Sequence, residues 1–97
     1  MNSQPRSILI TGAASGLGAA TARRFIAEGW QVAINYLDAS QHEAATALAN
    51  SVGPKQAIAI VGDVTQDADC VQLVAQTAAT FGRLDALVNA AGISKMV

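Results

Sequence analysis

Short apolar runs and helix-period segments take turns along the chain, and this alternation restricts the fold more than any single residue does. Ser7–Thr11 is a β-branched, leucine-containing run suited to a strand buried on both faces. A helix is expected from about Gly16 to Glu28, with Gly18, Thr21, Ala22 and Phe25 on the inner face and Arg23, Arg24 and Glu28 turned away. Arg24 and Glu28 are spaced to pair, and Gly29 suits a left-handed helix stop. Residues 31–35 read as a second strand. Ser40 and Glu43 have the S-x-x-E spacing of a capped helix start. That helix reaches about Ser51 with Ala44, Ala47 and Leu48 inward, and Gly53-Pro54 ends it. Residues 57–61 form the third strand. Thr65 suits the cap of a third helix, and Asp67 and Asp69 suit its positive end. Val71, Val74, Ala75, Ala78 and Phe81 supply its apolar stripe, Gly82 its stop, and residues 86–89 the fourth strand.

The order β-α-β-α-β-α-β with short connections predicts an α/β fold whose parallel sheet has right-handed crossovers. Helices 1 and 2 then cover one face and helix 3 the other, leaving strands 1 and 4, which lie side by side, partly bare. An open apolar fourth strand invites association with other chains.

Composition removes several function classes. Hydrophobic residues make up 52% of the 97 and charged residues 13%, so a packed core is expected. The net charge is -1, and the basic residues Arg6, Arg23, Arg24, Lys55, Arg83 and Lys95 are scattered. That pattern offers no stripe for nucleic acid and no patch for a membrane surface. Cys70 and His42 are each the sole residue of their type, which argues against a disulfide and a metal site. No apolar run approaches the length of a membrane span, and the start lacks a signal-peptide core. A single soluble cytoplasmic domain is expected.

Gly12, Gly16 and Gly18 stand at the junction of the first strand and first helix in "TGAASGLG". A helix start presents unpaired N–H groups and partial positive charge, which suit a phosphate. Gly12 permits the sharp turn, Gly16 clears room for a pyrophosphate, and Gly18 lets the helix lie close on the sheet. Ser15 adds a hydroxyl donor. As an alternative, the glycines merely permit a tight turn. Asp63 directly follows the third strand, at the sheet edge where such folds bind ligands, and could accept from an adenine amino group or serve as a turn residue before Thr65. "NAAG" (89–92) brings Gly92 to the same edge, across the crevice from Gly12.

"TGAASGLG", "GDV" (62–64) and "FGRLDALVNAAG" (81–92), in this order, resemble the first half of a short-chain dehydrogenase/reductase, with similarity to acyl-carrier-protein ketoreductase members. The resemblance spans nearly the whole chain and implies a Rossmann-like sheet of strand order 3-2-1-4. It implies that Gly12, Ser15, Gly16, Leu17 and Gly18 surround a pyrophosphate, and that Asp63 and the Val64 backbone hold adenine. Asn89 and Gly92 would lie along the ribose and nicotinamide. Ala90 departs from the family's usual Asn-Asn-Ala-Gly. The implied chemistry is NAD(P)-dependent hydride transfer at a small carbonyl or alcohol substrate by a cytoplasmic homo-oligomer.

The family's acidic ribose-binding position falls on Tyr36, with Asp38 two places beyond. Tyr36 would not repel a 2′-phosphate, and Asn35 and Ser40 could hydrogen-bond one, so NADP is favoured slightly over NAD, although Ser15 stands where NADP-dependent members often carry a basic residue. The family's catalytic serine and Tyr-x-x-x-Lys have no counterpart: the only tyrosine is Tyr36, with Ser40 where the lysine would be. No catalytic residue is assigned, since Ser94 is a lone loop serine and Lys95 has no tyrosine partner. The chain therefore reads as the N-terminal, dinucleotide-binding part of one Rossmann domain. The alternatives are a non-catalytic dinucleotide-binding module and an inactive fragment.

Overall fold

The computed structural model describes residues 4–90. The elements run β1 (Ser7–Thr11), α1 (Gly16–Ala27), β2 (Gln31–Tyr36), α2 (Ala39–Asn50), β3 (Ala57–Val61), α3 (Asp67–Phe81) and β4 (Ala86–Asn89). The strands form a parallel sheet in the order β3-β2-β1-β4. The register pairs Ile8 with Val32 and Ala86, which brings Thr11 level with Asn89 at the carboxyl end.

Successive strand side chains point to opposite faces, and the core divides accordingly. Ile8, Ile10, Val32, Ile34 and Tyr36 pack with Ala22 of α1 and with Ala45 and Ala49 of α2. Leu9, Ala33 and Ile60 pack on the other face with Leu73 and Phe81 of α3. Two helices on one face and one on the other is the arrangement the crossover rule requires. β1 is buried throughout, so the expected bare strand is β4 alone, where Leu87 is 56% exposed on the α3 side.

Two helices are rotated from the phase expected of their sequence. In α3 the inward row is Leu73, Thr77 and Phe81, while Val71 is 70% and Val74 41% exposed. Leucine brings more apolar area to the sheet than valine. Thr77 is tolerated inside because its hydroxyl donates to the Leu73 carbonyl at 2.8 Å. In α2 the inward residues are Ala45 and Ala49, with Ala44 and Ala47 exposed and Leu48 at the margin.

The cap of α2 also differs. Asp38, not Ser40, precedes the helix, and its carboxylate accepts from the Ser40 N–H at 3.0 Å and the Ser40 hydroxyl at 2.5 Å. A carboxylate there satisfies an orphan N–H and faces the positive end of the helix. The Arg24–Glu28 pair forms at 3.1 Å on the surface. Gly29, Gly53 and Gly82 all take positive φ at the helix ends where the sequence placed them.

The amino ends of β1 and β4 are clipped together. Asp85 accepts from the Ser7 N–H at 2.9 Å and from Arg83 at 2.8 and 2.7 Å, and the Ser7 hydroxyl donates to the Arg83 carbonyl. The Arg83 guanidinium, with the Ser7 N–H, holds the Asp85 carboxyl below the usual carboxylate range. This clip fixes β4 beside β1 and so sets where Asn89 emerges at the opposite edge.

Candidate dinucleotide site

The strand order reverses between β1 and β4, and open α/β sheets bind ligands at such a point, beyond the carboxyl ends of the strands. β1 leaves the sheet at Gly12, whose φ of +62° a side-chain-bearing residue adopts only with strain. The chain then closes through Ala13 and Ala14, both buried, into α1. Gly18 is the tightest point. A Cβ there would lie 2.1 Å from the Gly12 carbonyl oxygen. Close approach is therefore the reason for this glycine, and the surface approached is the loop's own backbone more than the sheet.

Gly16 is different. Its φ is +59°, and a Cβ would meet nothing within 4 Å. The open space lies at the first turn of α1, beside exposed Ser15 and a Leu17 that is 57% exposed. Ser15 is extended and its side chain makes no capping bond, and no acidic residue occupies this first turn. The other two helix starts are already compensated, α2 by the Asp38 carboxylate and α3 by Asp67 and Asp69. The start of α1 keeps its uncompensated positive end and its clearance, which fits the pyrophosphate of a dinucleotide.

Across the edge, β3 leads into Gly62, Asp63 and Val64. Asp63 accepts from both the N–H and the hydroxyl of Thr65, at 2.9 and 2.7 Å, and its own N–H donates to Asp69 at 2.8 Å. Thr65 thus closes a turn on Asp63 and does not cap α3, whose cap position is Gln66. The Cys70 thiol donates to the Val64 carbonyl at 3.3 Å, and Leu73 packs beneath Gly62. These bonds staple the first turn of α3 to the loop. A cleft of about 80 Å³ lies between Gly12, Asn35, Leu37, Gly62, Asp63 and Val64. Pockets that enclose a whole ligand run to about 300–1,000 Å³, so this cleft is one subsite of a larger surface.

The end of β2 departs most from expectation. Tyr36 is 7% exposed, and its side chain turns to the α2 face, where its hydroxyl meets His42 Nδ1 at 2.6 Å. Asn35 is 2% exposed and its side-chain amide is engaged with Gly12 and with carbonyls of β2 and β3, so it is not placed to receive a 2′-phosphate. β2 ends at Tyr36, and Asp38 beyond it is occupied as the α2 cap, while Ser40 donates to that carboxylate. Residue counting missed the Asn35 role, although an asparagine inside an apolar strand was the available signal.

At the β4 end, Asn89 Oδ1 accepts from the Thr11 hydroxyl at 2.8 Å, joining the two lips of the reversal point. Gly92, Ser94 and Lys95 lie outside the described residues. Among the described residues no group of histidine, cysteine and carboxylate side chains could hold a metal ion, and no helix is long and apolar enough to cross a membrane.

Residues 6–97 match the family model of the short chain dehydrogenases. An uncharacterized oxidoreductase of Thermotoga maritima is 46% identical over 93 residues, covering 96% of this chain and 36% of that protein. A Burkholderia xenovorans protein described as a short-chain dehydrogenase/reductase superposes with a TM-score of 0.80 at 44% identity, over 91% of this chain and 36% of its own. A blue fluorescent protein from a metagenomic library, solved in complex with NADPH, gives 0.79 at 36% identity over 84% of this chain and 34% of its own. The chain spans about a third of the length of these relatives. With the family model matched from residue 6 onward and the sheet order and glycine turn in place, the chain belongs to the short-chain dehydrogenase family.

Proposed function

We propose that this chain is the dinucleotide-binding part of an NAD(P)-dependent oxidoreductase, cytoplasmic and homo-oligomeric, that moves hydride between nicotinamide and a small carbonyl or alcohol. The observation that carries the reading is the uncompensated start of α1, with open space at Gly16, set beside the Asp63–Val64 loop at one sheet edge. In this reading Gly12, Ser15, Gly16, Leu17 and Gly18 surround the pyrophosphate, and Asp63 and Val64 border the adenine. Tyr36, its side chain turned to α2, offers the adenosine ribose only its backbone at the end of β2, and Asn89 and Gly92 follow the ribose and nicotinamide. The bound cofactor supplies or accepts hydride. The chain's own residues bind and orient it, and no catalytic side chain is assigned among them.

NADP is the preferred form. Strand β2 ends at Tyr36 with exposed Leu37 next and no carboxylate at either position, and a neighbour 36% identical binds NADPH. Calorimetric titration tests both levels of the proposal. NADPH is expected to bind more tightly than NADH. The reverse order sinks the NADP preference, and no binding of either sinks the dinucleotide site. Self-association is supported by Val71, which is 70% exposed on the outer face of α3. Sedimentation velocity should show species larger than a monomer, and a monomer across the micromolar range would refute it.

A further inference from the structure

We propose that Asn35 is a positioning residue that sets the separation of the two loops between which the adenosine half of the cofactor sits; the proposal rests on the dinucleotide reading of the site. Asn35 lies on the α3 side of β2, one strand away from each loop, and is 2% exposed. Its Oδ1 accepts from the Gly12 N–H at 3.1 Å. Its Nδ2 donates to the Gly62 carbonyl at 3.1 Å and to the Ile60 and Tyr36 carbonyls at 3.2 Å each, so its two hydrogens are shared among three acceptors. The Asn35 main-chain carbonyl also accepts from the Ala13 N–H at 2.8 Å. One side chain is thereby bonded to the turn after β1 and to the exit of β3.

Two consequences follow from this bonding. Gly12 directs its N–H inward to Asn35, so the donors that meet a pyrophosphate begin further along, at the first turn of α1. The Gly12 and Gly62 walls of the cleft are held at the distance a planar amide spans, with an acceptor on one side and a donor on the other. Leucine has the same outline and neither function. Aspartate keeps the acceptor and sets a second oxygen against three carbonyls. Only an amide of this length serves both loops.

The test uses the full chain. NADPH and ADP are titrated into wild type, Asn35→Leu, Asn35→Ser and Ala49→Gly, at a temperature where circular dichroism shows each fully folded. Asn35→Leu is expected to weaken both ligands tenfold or more and by the same factor, because the loss falls on the adenosine half. Asn35→Ser, with a smaller lesion, stands in should the leucine variant not fold. Ala49→Gly destabilises α2 away from both loops and should keep the wild-type Kd. A folded Asn35 variant with a Kd within twofold of wild type would overturn the proposal. So would an equal loss of affinity in Ala49→Gly, which would trace the effect to stability alone. Failure of wild type to bind NADPH or NADH is a different result and strikes the dinucleotide reading itself.

Discussion

Gly18→Ala is the perturbation whose outcome the structure determines most tightly. The added Cβ would stand 2.1 Å from the Gly12 oxygen, 2.8 Å from the Gly12 carbonyl carbon and 2.9 Å from Ala13 Cα. All three obstacles are backbone, so no rotamer change relieves them. Restoring even a 3.0 Å contact to the oxygen requires the loop and helix to part by about 0.9 Å. Overpacking of this kind costs about 1–3 kcal/mol, and the backbone obstacles put the expected loss near the top, at about 3 kcal/mol. Gly16→Ala is the matched control, because its Cβ meets no atom within 4 Å and only the left-handed φ is strained. That strain costs about 1–2 kcal/mol. Urea denaturation followed by circular dichroism measures both, with NADPH titration on the folded variants. Gly18→Ala should be clearly the less stable, whereas Gly16→Ala should lose tenfold or more in NADPH affinity while remaining folded. Equal or greater stability in Gly18→Ala than in Gly16→Ala would refute the close-approach argument. A Gly16→Ala protein with wild-type affinity would refute the clearance argument.

Other expectations test the packing and the clips. Leu73→Ala should cost about 3 kcal/mol and Val71→Ala less than about 0.5 kcal/mol in denaturant titrations, because one is buried and the other 70% exposed. The opposite order would place Val71 on the inner face after all. Asp38→Ala should cost about 1 kcal/mol by the same assay through loss of the α2 cap, and an unchanged midpoint would contradict that role. For Asp85, the folded carboxyl is held below its unfolded value, so its contribution is present above the usual carboxylate range and is lost as pH falls through the folded value. Wild type should therefore exceed Asp85→Asn in stability most at neutral pH, with the gap closing on acidification. A gap that widens in acid would show the sign to be wrong.

Element order and the position of the glycine turn were legible because each rests on local chemistry, whereas the strand order followed from the family resemblance. Apolar runs bounded by glycine, and positive φ at Gly12, Gly29, Gly53 and Gly82, follow from residues close in sequence. The phase of α3 was not legible. Its helix carries apolar residues on two faces, and only the competition between Leu73 and Val71 for the sheet, with Thr77 satisfying its own hydroxyl, selects one. The cap of α2 was misplaced for a similar reason, since Asp38 and Ser40 both suit the position and the end of β2 at Tyr36 decides between them. At the site, the residues of the glycine loop and the Gly62–Val64 exit were readable as a set. What holds those two loops at their spacing was not, because the bonds of Asn35 run to Gly12 and Gly62, residues distant in sequence.

Whether a nicotinamide dinucleotide sits on this strand edge is the central question for this protein. Amide chemical-shift mapping of the isotopically labelled protein during NADPH titration addresses that directly. The predicted result is saturable shifts concentrated at Gly12–Gly18, Leu37 and Gly62–Val64, with the outer faces of α2 and α3 unmoved. Shifts confined to those outer faces, or none at millimolar NADPH, would contradict it.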